Sequence, residues 1–311
     1  MKTITIVIPT YKEEKNIQYS YDEVTRLMTE KLPHYNYEIM YVDNCSPDST
    51  QQLIEELCEK DSHVKAIFNA RNFGQGRSHF YALTQAEGDC AVLLHADMQN
   101  PPSVIPEFVK EWENGAKVVI GIKEASKECP LLFFMRTVYY KVMKHTSDVE
   151  QIEHFSDFEL LDKDFIKVLR ELDEPVPYLR GIISELGFKM KRIKYVQNKR
   201  EHGKTTASFK SLYDFGMVGI TSYSKFIMRL ATIFGTVLGA CSMLVALITF
   251  VMKLIFWDKF PAGVAAMNIG VFFLGSVQLF FIGLLGEYIL NINMRVMRRP
   301  LVIEDRRINF D

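Results

Sequence analysis

Asp97 and Gln99 alternate along the chain just after an apolar run at 91–94, with His95 before them and Asn100, Pro101 and Pro102 after them. A short apolar run ended by polar residues and proline reads as a buried strand that opens into a loop. Alternate residues of extended backbone point the same way. Asp97 and Gln99 therefore offer hard oxygen ligands of the kind Mg2+ or Mn2+ takes, usually with substrate phosphates completing the shell. The competing reading is a loop in which Asp97 caps a turn. Two more strand-like runs end in polar groups: 3–9 runs into Tyr11 and Glu13, and 37–43 ends on Asp43. Ligands of open α/β sheets sit outside the carboxyl ends of the strands, so these loops share a pocket on one edge.

The elements that must position these groups follow from periodicity. Strands are expected at 3–9, 37–43, 64–69 and 90–94, with helices at 17–31, 50–61 and 78–86 between them. Such alternation implies βαβ units and a parallel sheet. A helix over 101–113 carries Pro101 and Pro102 in its first turn, and 116–122 is a further strand. Residues 131–145 are apolar and aromatic on a helical period, with Arg136, Lys141 and Lys144 among them. That helix either lies at a membrane surface or covers the sheet. Residues 154–161, with Asp157, read as a strand or turn, 163–172 as a helix and 191–196 as an edge strand. Residues 197–206 form a basic loop with no apolar anchor.

The chain has 311 residues and a formal net charge of -1, with 48% hydrophobic residues. The near-neutral balance gives no sign of nucleic-acid binding. Five scattered cysteines without a CxxC read as reduced thiols facing the cytosol. The apolar run at the N-terminus is too short for a signal peptide. Charge thins out after Arg229 until Glu287. Two uncharged runs lie there, expected to span a bilayer at about 230–254 and 262–290. Lys225 and Arg229 before them and Arg295, Arg298 and Arg299 after them place both termini in the cytoplasm. Gly235 and Gly239, and Gly283 with Gly286, suit close helix packing in a hairpin or a homo-oligomer. The expected organisation is a cytoplasmic catalytic domain at 1–208, a juxtamembrane interfacial segment at 209–229, two membrane helices within 230–294 and a short charged cytoplasmic tail at 295–311.

There is no GxxxxGK[ST], no GxGxxG after the first strand and no GxSxG. What the chain carries instead is ITIVIPTYKEEKNI, EIMYVDNCSPDST, ARNFGQ and LLHADMQNPP, in that order. These stretches resemble the A-type nucleotide-sugar transferases of glycosyltransferase family 2. DFELLD, YLRG, KREHGKT, GITSYSKFIMRLAT and the two apolar runs look like the polyprenyl-phosphate branch, which includes dolichyl-phosphate mannose synthase and the bactoprenol glucosyltransferases.

The resemblance implies a GT-A-type α/β domain with a mostly parallel sheet, interfacial helices and a two-helix transmembrane hairpin. It implies an integral protein of the inner membrane that inverts the anomeric centre as it moves a sugar from a nucleotide sugar to polyprenyl phosphate, undecaprenyl phosphate in bacteria. By the family's pattern Pro9, Tyr11, Glu13 and Asp43 hold base and ribose, and Asp97 with Gln99 holds Mg2+ or Mn2+. Asn72, Gly74, His95, Ala96 and Arg180 lie in matching motifs of the substrate site. Arg136 would meet the acceptor phosphate, Arg200 and Lys204 would close over the diphosphate, and Asp157 would stand near the reacting carbon. The chain departs from the pattern at His95, where an acid is common, at Asn100 in place of Asp, and at Asn44 and Cys45 in place of Asp-Gly. A processive saccharide synthase would need more spans and a QxxRW element, which is absent. A non-catalytic scaffold that binds the sugar nucleotide is the second reading.

Overall fold

The computed structural model describes residues 1–123, 152, 155–172, 174–198, 226–255, 264–297 and 299–310. Four strands, β1 (Thr3–Thr10), β2 (Asn36–Asp43), β3 (Val64–Asn69) and β4 (Cys90–Leu93), pair in parallel in the order β4-β1-β2-β3. They are buried along nearly their whole length, because helices cover both faces and both sets of side chains are apolar. On one face α1 (Ile17–Lys31), α2 (Thr50–Lys60) and α4 (Ile105–Glu113) pack Val24, Ile54 and Phe108 against Ile4, Ile6 and Ile8. On the other, α3 (Gln75–Gln85), α5 (Lys163–Glu171) and α6 (Leu179–Glu185) pack Phe80, Phe165 and Ile183 against Val7, Val42 and Ile67. This is the expected GT-A-like α/β fold with a mostly parallel sheet. Pro101 and Pro102 stand outside the α4 helix proper, at a 3-10 turn over Pro102–Val104.

The rest of the eight-stranded sheet differs from a simple parallel array. Its order is β7-β5-β6-β4-β1-β2-β3-β8. β6 (Phe155–Asp162) runs antiparallel between β4 and β5 (Val118–Lys123), and β7 (Met190–Tyr195) is the expected edge strand beside β5. The expected charged tail contains β8 (Glu304–Ile308), antiparallel to β3. EDRRI has no apolar alternation, because β8 is held by backbone pairing and by its charges rather than by burial. Arg306 pairs with Glu55 and lies over the Phe68 ring at 4.5 Å, and Arg307 pairs with Glu304. Asn309 donates to the carbonyls of Cys58 and Val64 at 2.9 and 2.8 Å.

Between the basic loop and β8 stand two long helices, α7 (Phe226–Ile255) and α8 (Val264–Val296). Large apolar side chains such as Ile233, Leu244 and Leu247 on α7 and Leu279, Phe280 and Ile289 on α8 are exposed. Among the described residues one stretch, Phe273–Val296, is long and apolar enough to cross a membrane, with mean hydropathy 1.7 and none of it buried. A Cβ added at Gly235, Gly283 or Gly286 would meet nothing within 4 Å, so among the described residues these glycines make no close helix contact. The helix expected at 131–145, with Arg136, and the basic residues Arg200 and Lys204 lie outside the described residues.

Candidate active site

The register sets the carboxyl ends of β1 and β2 level, Thr10 beside Asp43, while Val7 of β1 lies beside Leu93 of β4. Three exit loops meet there, and each holds one non-glycine residue in the left-handed region: Lys12 (φ 60), Cys45 (φ 60) and Met98 (φ 51). Asp157, on β6, is the fourth (φ 51). Such residues cost about 1 to 3 kcal/mol each and persist where the surroundings over-determine them, commonly at active sites. Cys45 explains one departure from the family: a glycine would take that φ without strain.

Asp43 is fully buried and its carboxylate is fully used. It accepts from the Ser46 N–H at 2.8 Å, the Ser46 hydroxyl, Gln51 Nε2 at 2.7 Å and Thr10 Oγ1 at 3.3 Å. Its work here is to fix the loop after β2. That loop in turn fixes the first one, since the Lys12 N–H donates to Ser46 Oγ at 2.9 Å and the Glu13 N–H to Thr50 Oγ1 at 3.0 Å. Pro9 is buried at the end of β1, whereas Tyr11 and Glu13 are half-buried, with Glu13 accepting from Asn16.

An amide network ties in the loop after β3. Asn44 Nδ2 donates to Asn72 Oδ1 at 3.0 Å, and Asn44 Oδ1 accepts from Asn69 Nδ2 at 3.1 Å and the Phe73 N–H at 3.0 Å. Asn72 Oδ1 also accepts from the Gly74 N–H, and Gly74 takes φ 86 to begin α3. Asn44 both donates and accepts, which an aspartate cannot do. Asn44→Asp, although it restores the residue common in the family, should cost about 1 to 3 kcal/mol by setting two acceptors against each other. The loss is read as a lower thermal midpoint, and an unchanged midpoint would show that the network does not hold the loop.

The turn after β4 is built by its own polar groups. The Gln99 N–H donates to Asp97 Oδ1 at 3.2 Å and the Met98 N–H to the His95 carbonyl at 3.1 Å. Ala96 is packed in the core, and buried Asn100 accepts from Tyr195 Oη at 2.7 Å. Gln197 Nε2 donates to Gln99 Oε1 at 3.2 Å, and the Asn198 N–H to the Gln99 carbonyl at 3.0 Å. The chain thus leaves this turn for the basic segment that begins at Lys199.

Asp157 stands in an irregular stretch of β6, between Phe155 and Glu159, which face Ile122 and Ile120 of β5. A bulge of this kind re-aims a side chain. Asp157 Oδ1 accepts from Arg180 Nε of α6 at 3.3 Å, and Arg180 lies 5.6 Å from the Phe155 ring centre. Burial opposes ionisation of Asp157, but Arg180, with His79 and His95, outweighs it and holds the carboxyl below its usual range. The His79 and His95 rings are 5.3 Å apart. Burial pushes the His79 pKa down to about 3, aided by His95 and opposed by Asp157, so His79 is neutral. His79 and Glu159 had no place in the sequence-based site.

The structure therefore brings Asp43, Asn72, Gly74, His95, Asp97, Gln99, Asp157 and Arg180 to the loops and strand ends of one region, with Pro9 and Ala96 packed beneath. Among the described residues no group of three His, Cys, Asp or Glu side chains forms a metal cage. The carboxylate of Asp97 and the amide oxygen of Gln99 are donor types that suit a hard cation which keeps water and substrate oxygens.

The sequence profile of Glycosyl transferase family 2 matches residues 5–187, from β1 through α6. The chain is 33% identical over 306 residues to the protein named uncharacterized glycosyltransferase YkoT of Bacillus subtilis, covering 96% of this chain and 89% of that one. It is 30% identical over 302 residues to the SfII prophage-derived bactoprenol glucosyl transferase of Shigella flexneri, covering 96% of each. Among solved structures, the mannosyltransferase PcManGT from Pyrobaculum calidifontis, in complex with GDP-Man and Mn2+, matches with a TM-score of 0.49 at 15% identity, over 95% of this chain and 86% of that one. With the family's profile running through every loop of the site, the chain belongs to glycosyl transferase family 2 and is a glycosyltransferase.

Proposed function

We propose that this glycosyltransferase moves a sugar from a nucleotide diphosphate sugar, a UDP-sugar in preference to GDP-mannose, to a polyprenyl phosphate at the cytoplasmic face of the cell membrane. The observation that carries the reading is the convergence of three strained polar loops with the Asp157–Arg180 pair at one sheet edge. The match to a bactoprenol glucosyl transferase over 96% of the chain supports the lipid acceptor.

The chain's course supports the membrane hairpin. It enters α7 from the catalytic domain, and after α8 it returns to that domain as β8. A segment that leaves and re-enters one domain crosses a bilayer an even number of times. The exposed apolar side chains of both helices then face lipid. In this arrangement both termini share the cytoplasmic side.

The chemistry asks little of a general base, because a polyprenyl phosphate is already anionic. Its oxygen attacks the anomeric carbon in line, the bond from that carbon to the diphosphate breaks, and the configuration inverts. The protein must align the two partners and stabilise the leaving charge. Asp97 and Gln99 would hold Mg2+ or Mn2+, which neutralises the diphosphate when bound. Tyr11 and Glu13 line the nucleoside side, and Asp43 fixes the loop after β2 whose Ser46 holds Lys12 between them. Asp157, fixed by Arg180, orients a sugar hydroxyl near the reacting carbon. Arg200 and Lys204 follow in sequence on Gln197 and Asn198, which bond to Gln99, and Arg suits bidentate phosphate contact. Arg136 meets the acceptor phosphate.

Membranes containing the protein, given labelled UDP-glucose, UDP-galactose, UDP-N-acetylhexosamines or GDP-mannose with undecaprenyl phosphate, should yield a labelled lipid with one UDP-sugar. EDTA should abolish the label and added Mn2+ or Mg2+ restore it. A protein that binds a donor yet labels no lipid with any of them is a scaffold, and this reading fails.

A further inference from the structure

Glu159 lies in the middle of β6, flanked across the ladder by Leu93 of β4 and Ile120 of β5, both fully buried. Its side chain is wholly enclosed, and neither carboxyl oxygen has a hydrogen-bond partner. An ionised carboxylate cannot be held without water or a partner at acceptable cost. Among the described residues, the charged and titratable groups around it are few. Asp157 is two residues away on the same strand, and Arg180 reaches in from α6. His79 of α3, held neutral, and His95 after β4 face Asp157. Arg180 is already paired with Asp157 at 3.3 Å. Among the described residues two carboxyl groups thus share the Arg180 cation, and these three groups are neutral together only if one carboxyl keeps a proton.

We propose that Glu159 is a positioning residue that works as a neutral acid: while it holds its proton Arg180 belongs to Asp157, and loss of that proton draws Arg180 away and stops transfer. Burial first, and the charge of Asp157 second, push the Glu159 carboxyl well above its usual range, against the pull of Arg180. The division of labour is then fixed by environment: Asp157 carries the charge and Glu159 the proton. The proposal rests on Asp157 and Arg180 serving transfer as read above.

The full-length wild type, E159Q and E159L are compared in detergent from mildly acid to strongly alkaline pH, by transfer kinetics and by thermal unfolding. Wild-type kcat should fall on an alkaline limb as Glu159 ionises. E159L, which fills the space without an acid, should lower kcat at least about tenfold with KM changed less. E159Q, which keeps a neutral polar group, should rescue kcat and lack the alkaline limb. The sign for stability follows from the raised folded-state pKa: the contribution is complete below the unfolded glutamate value of about 4.3 and is lost as pH rises toward the folded one. The wild-type midpoint should therefore decline with pH more steeply than that of E159Q. An alkaline limb shared by wild type and E159Q, or E159L as active as wild type, overturns the proposal. If no protein transfers sugar, the functional reading fails instead, and parallel unfolding curves for wild type and E159Q would still overturn the proton assignment.

Discussion

Asp97→Ala is expected to abolish transfer, a loss of about a thousandfold or more in kcat, while His95→Ala keeps activity within about tenfold of wild type. The two side chains are close in sequence but serve different neighbours. Asp97 and Gln99 share a turn held by the Gln99 N–H and by strained Met98, and Gln197 and Asn198 dock on that turn. A carboxylate there is well placed to bring a divalent cation to a diphosphate, and alanine removes the charged ligand outright. The His95 ring instead stands beside His79, in the group around Asp157. Initial rates across a Mn2+ titration decide the matter. The Asp97 variant should stay inactive at every metal concentration. Equal, total loss in both variants would put His95 among the metal's ligands.

Arg180→Met should be the most damaging change away from that turn. It leaves Asp157 without its cation and beside a second carboxyl. Breaking a fully buried pair costs about 3 to 5 kcal/mol; with side chains 18% and 25% exposed, the loss here falls near the lower bound. Transfer should be lost together with stability, because Asp157 loses the cation that holds its position and favours its charged form. Asp157→Asn added to Arg180→Met should recover part of the stability and none of the activity, since the double variant has no uncompensated charge. Thermal midpoints of the two single variants and the double variant measure the coupling. Strictly additive losses would mean that the pair does not act as a unit.

Much of this site was legible from residue order, because buried parallel strands announce themselves as apolar runs and their functional ends as abrupt polar stops. β1 to β4 and the loops at Tyr11, Asp43 and Asp97 followed from that contrast, whereas Asn72 came from the family's motif. Where the contrast fails, so does the reading. β8 is charged and pairs through its backbone. α6 is a single short helix of seven residues that carries Gly181 in its first turn. β6 reads as a strand, but nothing in DFELLD says that it inserts antiparallel between β4 and β5. Glu159 was legible as an acid inside a strand, yet only the pairing with Leu93 and Ile120 reveals that it has no solvent. His79 sits next to buried Phe80 in a helix and acquires meaning only when α3 brings it to His95. Asn44 was visible as a departure from the family, and its reason lies in Asn72, 28 residues on.

The place of β8 also fixes an order in time. β3 is made early, and its outer neighbour β8 follows both long helices in the chain. Until then the β3 edge presents unpaired N–H and C=O groups, a surface prone to joining the wrong strand. β8 therefore closes the β3 edge only once both helices have been made. Substitutions that break the pairing of β8 with β3 would act on the yield of folded protein, far from any sugar.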